Sequence, residues 1–297
     1  MNPLSPLSMR TASQDARPFC EPISSRVHTL MGGGGVTLRV RDMGDPEGPP
    51  LFFLHGFSQS HQAWRRQLHS ALGLGFRLVA MDLRGHGDSD SPRGAYGDGR
   101  LWADDVQAVI SGLGLEQVLL VAWSYGGMVV ADYLRHYGER HVAGVNFVGA
   151  MVKSGTEEAF GLLAPEMLAL IPGLFSPDAV PGHAALESFV SLLHHAPETP
   201  ETRRAVMAYT SRVPAHVREG LGSRSQDNDD VLRELSVPVL VSHGLEDRVV
   251  LPASGLHIAS LLPHARVSLY RDTGHSPFWE DDRRFNRELA AFAAKCW

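Results

Sequence analysis

The sequence predicts an α/β fold, a mostly parallel sheet flanked by helices and interrupted once by a helical insertion. Three observations carry this. Apolar runs of strand length alternate with helical segments along most of the 297 residues. The runs PPLFFL from Pro49, RLVAM from Arg77, VLLVAW from Val118, VAGVNFV from Val142 and VPVLV from Val237 are continuous rather than alternating. Such strands are buried on both faces, as in a parallel sheet. After Met151 the rhythm breaks, and residues 156 to about 222 read as helices punctuated by Pro165, Pro172, Pro177, Pro181, Pro197, Pro200 and Pro214.

Taken in order, residues 26–31 and 36–43 form an antiparallel hairpin around Gly32–Gly35. Four consecutive glycines raise the question of a phosphate loop. No helix and no Lys-Ser/Thr follows, so a flexible hairpin turn is expected. A strand with its exit loop covers 49–57, and a helix runs from Gln62 to Leu74. The strand 77–85, the helix Leu101–Leu113, the strand Gln117–Ala122, the helix Tyr125–Tyr137 and the strand 142–151 follow. Beyond the insertion come the strand 237–244, the helix Ala253–Leu262, the strand 265–272 and the helix Trp279–Ala294. The domains expected are a mobile tail over 1–25, a core of 26–151 and 226–297, and a helical cap of 152–225. The insertion's apolar residues, among them Phe160, Met167, Leu170 and Phe175, must cover something, and the strand ends of the core are the place available.

With 43% hydrophobic and 20% charged residues, this is an ordinary globular composition. A net charge of −6 and the lack of any Lys/Arg-rich block argue against a nucleic-acid partner. The first 24 residues hold four prolines and no signal-peptide core, and no run approaches the ~18 apolar residues of a membrane span. A cytoplasmic protein without membrane contact is expected. Cys20 and Cys296 read as free thiols, although a disulfide between them stays open.

The chemistry begins at Ser124. The strand before it turns at Gly126 and Gly127 into an apolar helix, with small residues, Ala122 and Gly126, two before and two after the serine. That pattern, A-x-S-x-G here, holds a serine hydroxyl out of a tight strand-to-helix bend. A serine needs a base, and the base needs an orienting acid. His275 lies in DTGHSPFWE after the last strand, and Asp247 in GLEDRVV after the one before; Glu246 is the competing acid. Oxyanion donors are expected from the backbone N–H of Tyr125 and of Phe57 in HGFSQS. His55 and Gly56 shape that loop, His86 fixes a neighbouring one, and His243 ends a strand.

HGF at 55–57, DLRGHGDSD at 82–90, AWSYGG at 122–127, GLEDRVV at 244–250 and TGHSPFWEDDRRFNRELAAF at 273–292 carry a resemblance. The chain resembles the α/β-hydrolase superfamily, in the group of serine esterases, cofactor-free haloperoxidases and carbon–carbon bond hydrolases. The resemblance covers nearly everything from residue 26. It implies an eight-stranded core with an antiparallel second strand and a cap after the sixth. It also implies the chain order Ser124, Asp247, His275 for the triad and an acyl-enzyme on serine, where dehalogenases and epoxide hydrolases use aspartate.

The activity expected is therefore hydrolysis of small to medium hydrophobic carboxylic esters, with no metal and no organic cofactor. Carbon–carbon bond hydrolysis, lactonase or perhydrolase activity on the same triad are alternatives, as is a slow-turnover ligand receptor. Trp123 either lines the acyl pocket with Phe57 and Tyr125 or packs on the adjacent strand. The Tyr125 hydroxyl either faces the cap or covers the helix start. Trp64, Trp102 and Trp279 read as core or cap contacts. His194-His195 lacks a second ligand pair for zinc. Asp227, Asp229 and Asp230 read as a solvated linker, without EF-hand spacing. Oligomeric state is not legible.

Overall fold

Runs of Val, Leu, Phe and Ile unbroken by charge dictate where this chain extends. A computed structural model describes residues 25–297, and in it ten strands form: β1 (Ser25–Met31), β2 (Thr37–Gly44), β3 (Pro50–Leu54), β4 (Arg77–Asp82), β5 (Val118–Trp123), β6 (Val142–Val148), β7 (Lys153–Ser154), β8 (Gln226–Asp227), β9 (Val239–Gly244) and β10 (Arg266–Tyr270). Eight of them make one sheet in the order β1-β2-β4-β3-β5-β6-β9-β10, while β7 and β8 pair separately. β2 runs antiparallel to both neighbours; every other pair from β4 to β10 is parallel. Every residue of β5, β6 and β9 is buried, which is why their sequences do not alternate. Cys20 and residues 1–24 of the expected tail lie outside the described residues, whereas Ser25 already belongs to β1.

Twelve helices accompany the strands: α1 (Arg65–Leu68), α2 (Gly99–Gly112), α3 (Gly126–Tyr137), α4 (Glu157–Gly161), α5 (Pro165–Leu174), α6 (Ala179–Leu192), α7 (Pro200–Thr210), α8 (Ala215–Gly222), α9 (Asp229–Arg233), α10 (Pro252–Leu261), α11 (Pro277–Glu280) and α12 (Asp282–Ala293). Local chemistry sets their ends. Asp98 caps α2 by accepting from Arg100 N at 2.8 Å, and Thr199 with Pro200 opens α7. α12 turns Phe285, Leu289, Phe292 and Ala293 inward, the spacing of one helical face.

Two expected helices are broken. Residues 62–74 form two short 3₁₀ turns around α1, because Ser70 bonds Gln67 O at 2.7 Å and accepts from Leu72 N. The last helix divides at Asp281, which leaves the helical region and caps α12. The glycine turn is a hairpin as expected, but it is pinned rather than free. Gly33 N donates to Asp105 Oδ1 at 2.9 Å, and the Arg84 guanidinium donates to Gly33 O at 3.0 Å.

α4 to α8 lie between β7 and β8. Their root is polar and in part buried, which corrects the reading of a solvated linker at Asp229, while Asp227 and Asp230 keep exposed side chains. Lys153 Nζ, itself buried, meets Glu158, Asp227 and Asp229 at 2.6, 3.0 and 3.0 Å. Asp229 is buried, and Asp230 pairs with Arg135 at 2.7 Å. Arg224 and Asp132 form a fully buried pair at 2.7 Å that ties the residues after α8 to α3. On the far side, Leu163 bridges Val250, and Ala164 N donates to Val249 O at 3.1 Å.

Candidate active site

β5 delivers Ser124 into a bend where its φ is +55°, the left-handed region that L residues seldom occupy. The strain is held by three backbone bonds. Ser124 N donates to Val148 O, while Gly127 N and Met151 N donate to Ser124 O, each at 3.0 Å. Close approach makes the glycines necessary. A Cβ on Gly126 would stand 2.7 Å from Leu54 O, and one on Gly56 would stand 2.8 Å from the Ser124 Cβ. Gly56→Ala is therefore expected to displace the serine and lower kcat by about 10²-fold, read in steady-state ester kinetics.

β9 and β10 end beside this bend and bring Asp247 and His275 together. His275 Nδ1 donates to Asp247 Oδ2 at 2.7 Å, with both side chains wholly buried. The other carboxylate oxygen accepts from Val249 N and Val250 N at 2.8 and 2.9 Å. Burial alone would raise the Asp247 pKa, but His275 and His243 hold it far below the usual carboxylate range. Glu246, the competing acid, is exposed. His275 Nε2 is buried and has no hydrogen-bond partner among the described residues, so its bond to Ser124 Oγ is not closed. Loose apo geometry of this kind is common and tightens when substrate binds.

The N–H groups of Phe57 and Tyr125 donate to no acceptor among the described residues. Phe57 stands in a loop shaped by two histidines, as expected from sequence. His55 Nε2 accepts from Leu83 N, and His86 Nε2 accepts from Ser58 N. Burial pushes the His55 pKa down to about 3 and the His86 pKa down to about 4, so both are neutral props.

Ser124 opens on a cavity of about 170 Å³ between the sheet and α4–α8. Phe57, Leu163, Met167, Ile171, Phe175 and Phe189 contribute to its wall, and among the described residues no Asp, Glu, Lys, Arg or His lines it. Phe57 meets Phe175 and Phe189 edge-on at 5.7 Å. Phe57 and Tyr125 thus line the cavity, and of the two places the sequence leaves open for Trp123, the pocket wall is not the one it takes. Its ring packs against Phe278, and its Nε1 donates to His275 O at 2.9 Å. Trp123 is a support for the histidine loop rather than a pocket wall. The Tyr125 hydroxyl accepts from Arg224 Nη1 at 3.1 Å, and burial raises its pKa to about 12. Trp64 and Trp102 are core residues, and Trp279 stacks under Arg65 and Arg66.

One functional neighbour was not legible. His243, expected only to end a strand, places Nε2 3.1 Å from Asp247 Oδ2 and 2.9 Å from Val250 O. Its position four residues before the acid was the available signal. Among the described residues no helix is long and apolar enough to cross a membrane, and no cluster of three potential metal ligands occurs.

The fold and these motifs place the chain in a family, and comparison agrees. Residues 49–282 match the alpha/beta hydrolase fold family, and the chain belongs to it. It is similar to the crystal structure of the esterase RhEst1 from Rhodococcus sp. ECU1013, with a TM-score of 0.87, 37% identity, and 91% of this chain and 99% of that one covered. A putative aryl esterase from Burkholderia cenocepacia superposes with a TM-score of 0.85 at 32% identity, covering 91% and 99%. Among curated relatives, the non-heme chloroperoxidase CPO-A1 of Kitasatospora aureofaciens is 29% identical over 88% of this chain and 97% of its own length.

Proposed function

We propose that the protein is a carboxylesterase in which Ser124, His275 and Asp247 form the triad and α4–α8 the cap. The observation that carries the reading is the 2.7 Å bond from His275 Nδ1 to buried Asp247, which leaves the buried Nε2 without a partner among the described residues and able to act as a base. Ser124 Oγ attacks the ester carbonyl carbon while its proton passes to His275 Nε2. The oxyanion is received by the N–H groups of Phe57 and Tyr125. His275 returns the proton to the leaving alcohol, and an acyl group stays on Ser124. Water then attacks the acyl carbon as its proton passes to His275; the bond to Ser124 Oγ breaks, and His275 returns the proton to that oxygen, releasing the acid and the free serine. Asp247 orients the imidazole and stabilises its charged form throughout. Esterases among the similar structures support this reading.

The pocket supports uncharged, apolar acyl groups of modest size. An apolar cavity of about 150 Å³ takes a benzene ring, close to the volume here. With nitrophenyl esters, kcat/KM is expected to be greatest for short to medium or ring-sized acyl groups. A decanoate, or a hemisuccinate that carries a charge, is expected to lose at least about tenfold, since a bare carboxylate finds no partner in the wall. A maximum at long or anionic acyl groups overturns this. A fluorophosphonate should label the wild type and not Ser124→Ala. Folded, unlabelled wild-type protein indicates a binding role instead. The chloroperoxidase relative favours perhydrolysis as a second activity, with peroxide replacing water at the acyl-enzyme.

A further inference from the structure

Asp247 is approached by two imidazoles, and only one of them is needed for the chemistry proposed above. His243 is wholly buried at the end of β9. Both atoms facing its Nε2, Val250 O at 2.9 Å and Asp247 Oδ2 at 3.1 Å, are acceptors. Nε2 must therefore carry a hydrogen. Among the described residues Nδ1 is buried without a partner, which disfavours a second hydrogen there, and the helix beside it packs close. A Cβ on Gly255 of α10 would stand 2.7 Å from that nitrogen. The ring is thus held in one tautomer with its donor edge toward the acid.

We infer that His243 is a positioning residue that acts through Asp247, fixing the carboxylate and moderating its pull on His275 by sharing the same oxygen. The inference rests on the triad reading. The Oδ2 atom accepts from His275 Nδ1 and lies 3.1 Å from His243 Nε2, while Oδ1 is occupied by two backbone N–H groups. Every bond to the carboxylate is therefore spoken for, and removal of the His243 bond leaves more of its charge directed at His275. Gly255 of α10, Leu269 of β10 and Val250 add no ionisable side chain to the surroundings of His243. The ionisable groups bearing on Asp247 are His275 and His243. The nearby Arg248 turns away, donating to Ser191 O and His194 O.

The test compares wild type with His243→Leu, which keeps bulk without a donor, and His243→Gln, whose amide restores one. The net worth of an ordinary hydrogen bond corresponds to a shift of up to about one pH unit. In His243→Leu the acid limb of kcat/KM against pH is expected to move upward by about half to one unit, with kcat down about tenfold and KM little changed. His243→Gln should recover most of both effects. The proton on His275 Nδ1, followed by its far-downfield NMR resonance in the resting protein, should titrate upward in His243→Leu by the same shift. That readout needs no turnover. An unmoved resonance and acid limb in His243→Leu overturn the inference, as does a loss of kcat that His243→Gln fails to recover. If His243→Leu does not fold, the same two curves for His243→Gln decide, since they must stay near wild type. Failure of the wild type to label or turn over esters counts against the esterase reading instead, while the resonance still tests the bond.

Discussion

Ser124→Ala is expected to lower kcat for a nitrophenyl ester by about 10⁵–10⁶-fold, and His275→Ala by about as much. The two act as one unit, because the oxygen attacks only as its proton departs. The double variant should therefore be no worse than either single one. Asp247→Ala should cost less, about 10⁴-fold, since the base survives without its orienting partner. KM should change little in all four, because apart from Ser124 the wall of the cavity is built by other residues. Single-turnover and steady-state kinetics on one ester panel measure these values. Additive losses would mean that the serine and the histidine act independently, and would reject the mechanism. The strained φ of +55° at Ser124 gives a second readout. Ser124→Gly removes the nucleophile and relaxes the bend together, so it should melt no lower than Ser124→Ala despite the usual entropic penalty of glycine.

Most of this arrangement was legible because it depends on local pattern. Buried parallel strands leave continuous apolar runs, and the bend at Ser124 needs small residues at Ala122 and Gly126, which a one-dimensional reading detects. The order of Ser124, Asp247 and His275 along the chain follows from strand ends lying on one edge of the sheet. What escaped depends on faces and distant partners. β5 is apolar on both sides, so its sequence does not say which way Trp123 turns, and the ring proved to support the His275 loop. Lys153 meets carboxylates more than 70 residues away in Asp227 and Asp229. Asp229 therefore read as solvated when a buried cation was neutralising it, while Asp227 and Asp230 keep exposed side chains. His243 escaped for the same reason, since a histidine within an apolar strand gives no sign of which side chain it faces. The helix expected over 62–74 failed on a subtler ground: Ser70 offers the backbone a competing partner.

Arg224→Met is expected to destabilise the fold by about 3–5 kcal/mol, because it leaves the Asp132 carboxylate buried without its partner. Neither side chain of the pair has any solvent exposure, so water cannot screen the loss. In a chain of this size the change corresponds to a fall in Tm of roughly 6–10 °C. Burial pushes the Asp132 pKa up, and the Arg224 guanidinium opposes that push. Without Arg224 the folded-state value rises further above the unfolded one of about 4. A raised carboxyl pKa means that the folded state holds its proton while the unfolded state releases it. The penalty therefore begins near pH 4, grows as pH rises toward the folded-state value, and is largely absent below pH 4. Melting curves of wild type and Arg224→Met should accordingly converge in acid and separate toward neutrality. Arg224→Met with Asp132→Leu replaces the pair by apolar groups and should recover most of the stability, since the cost lies in the orphaned charge. A double variant as unstable as the single one would show that packing, not charge, holds this joint. The joint also bears on the site. Arg224 Nη1 holds the Tyr125 hydroxyl, and the backbone N–H of Tyr125 is the proposed oxyanion donor. The double variant, though stable, should therefore still show a reduced kcat, separating the support of the fold from the support of the nucleophile's neighbour.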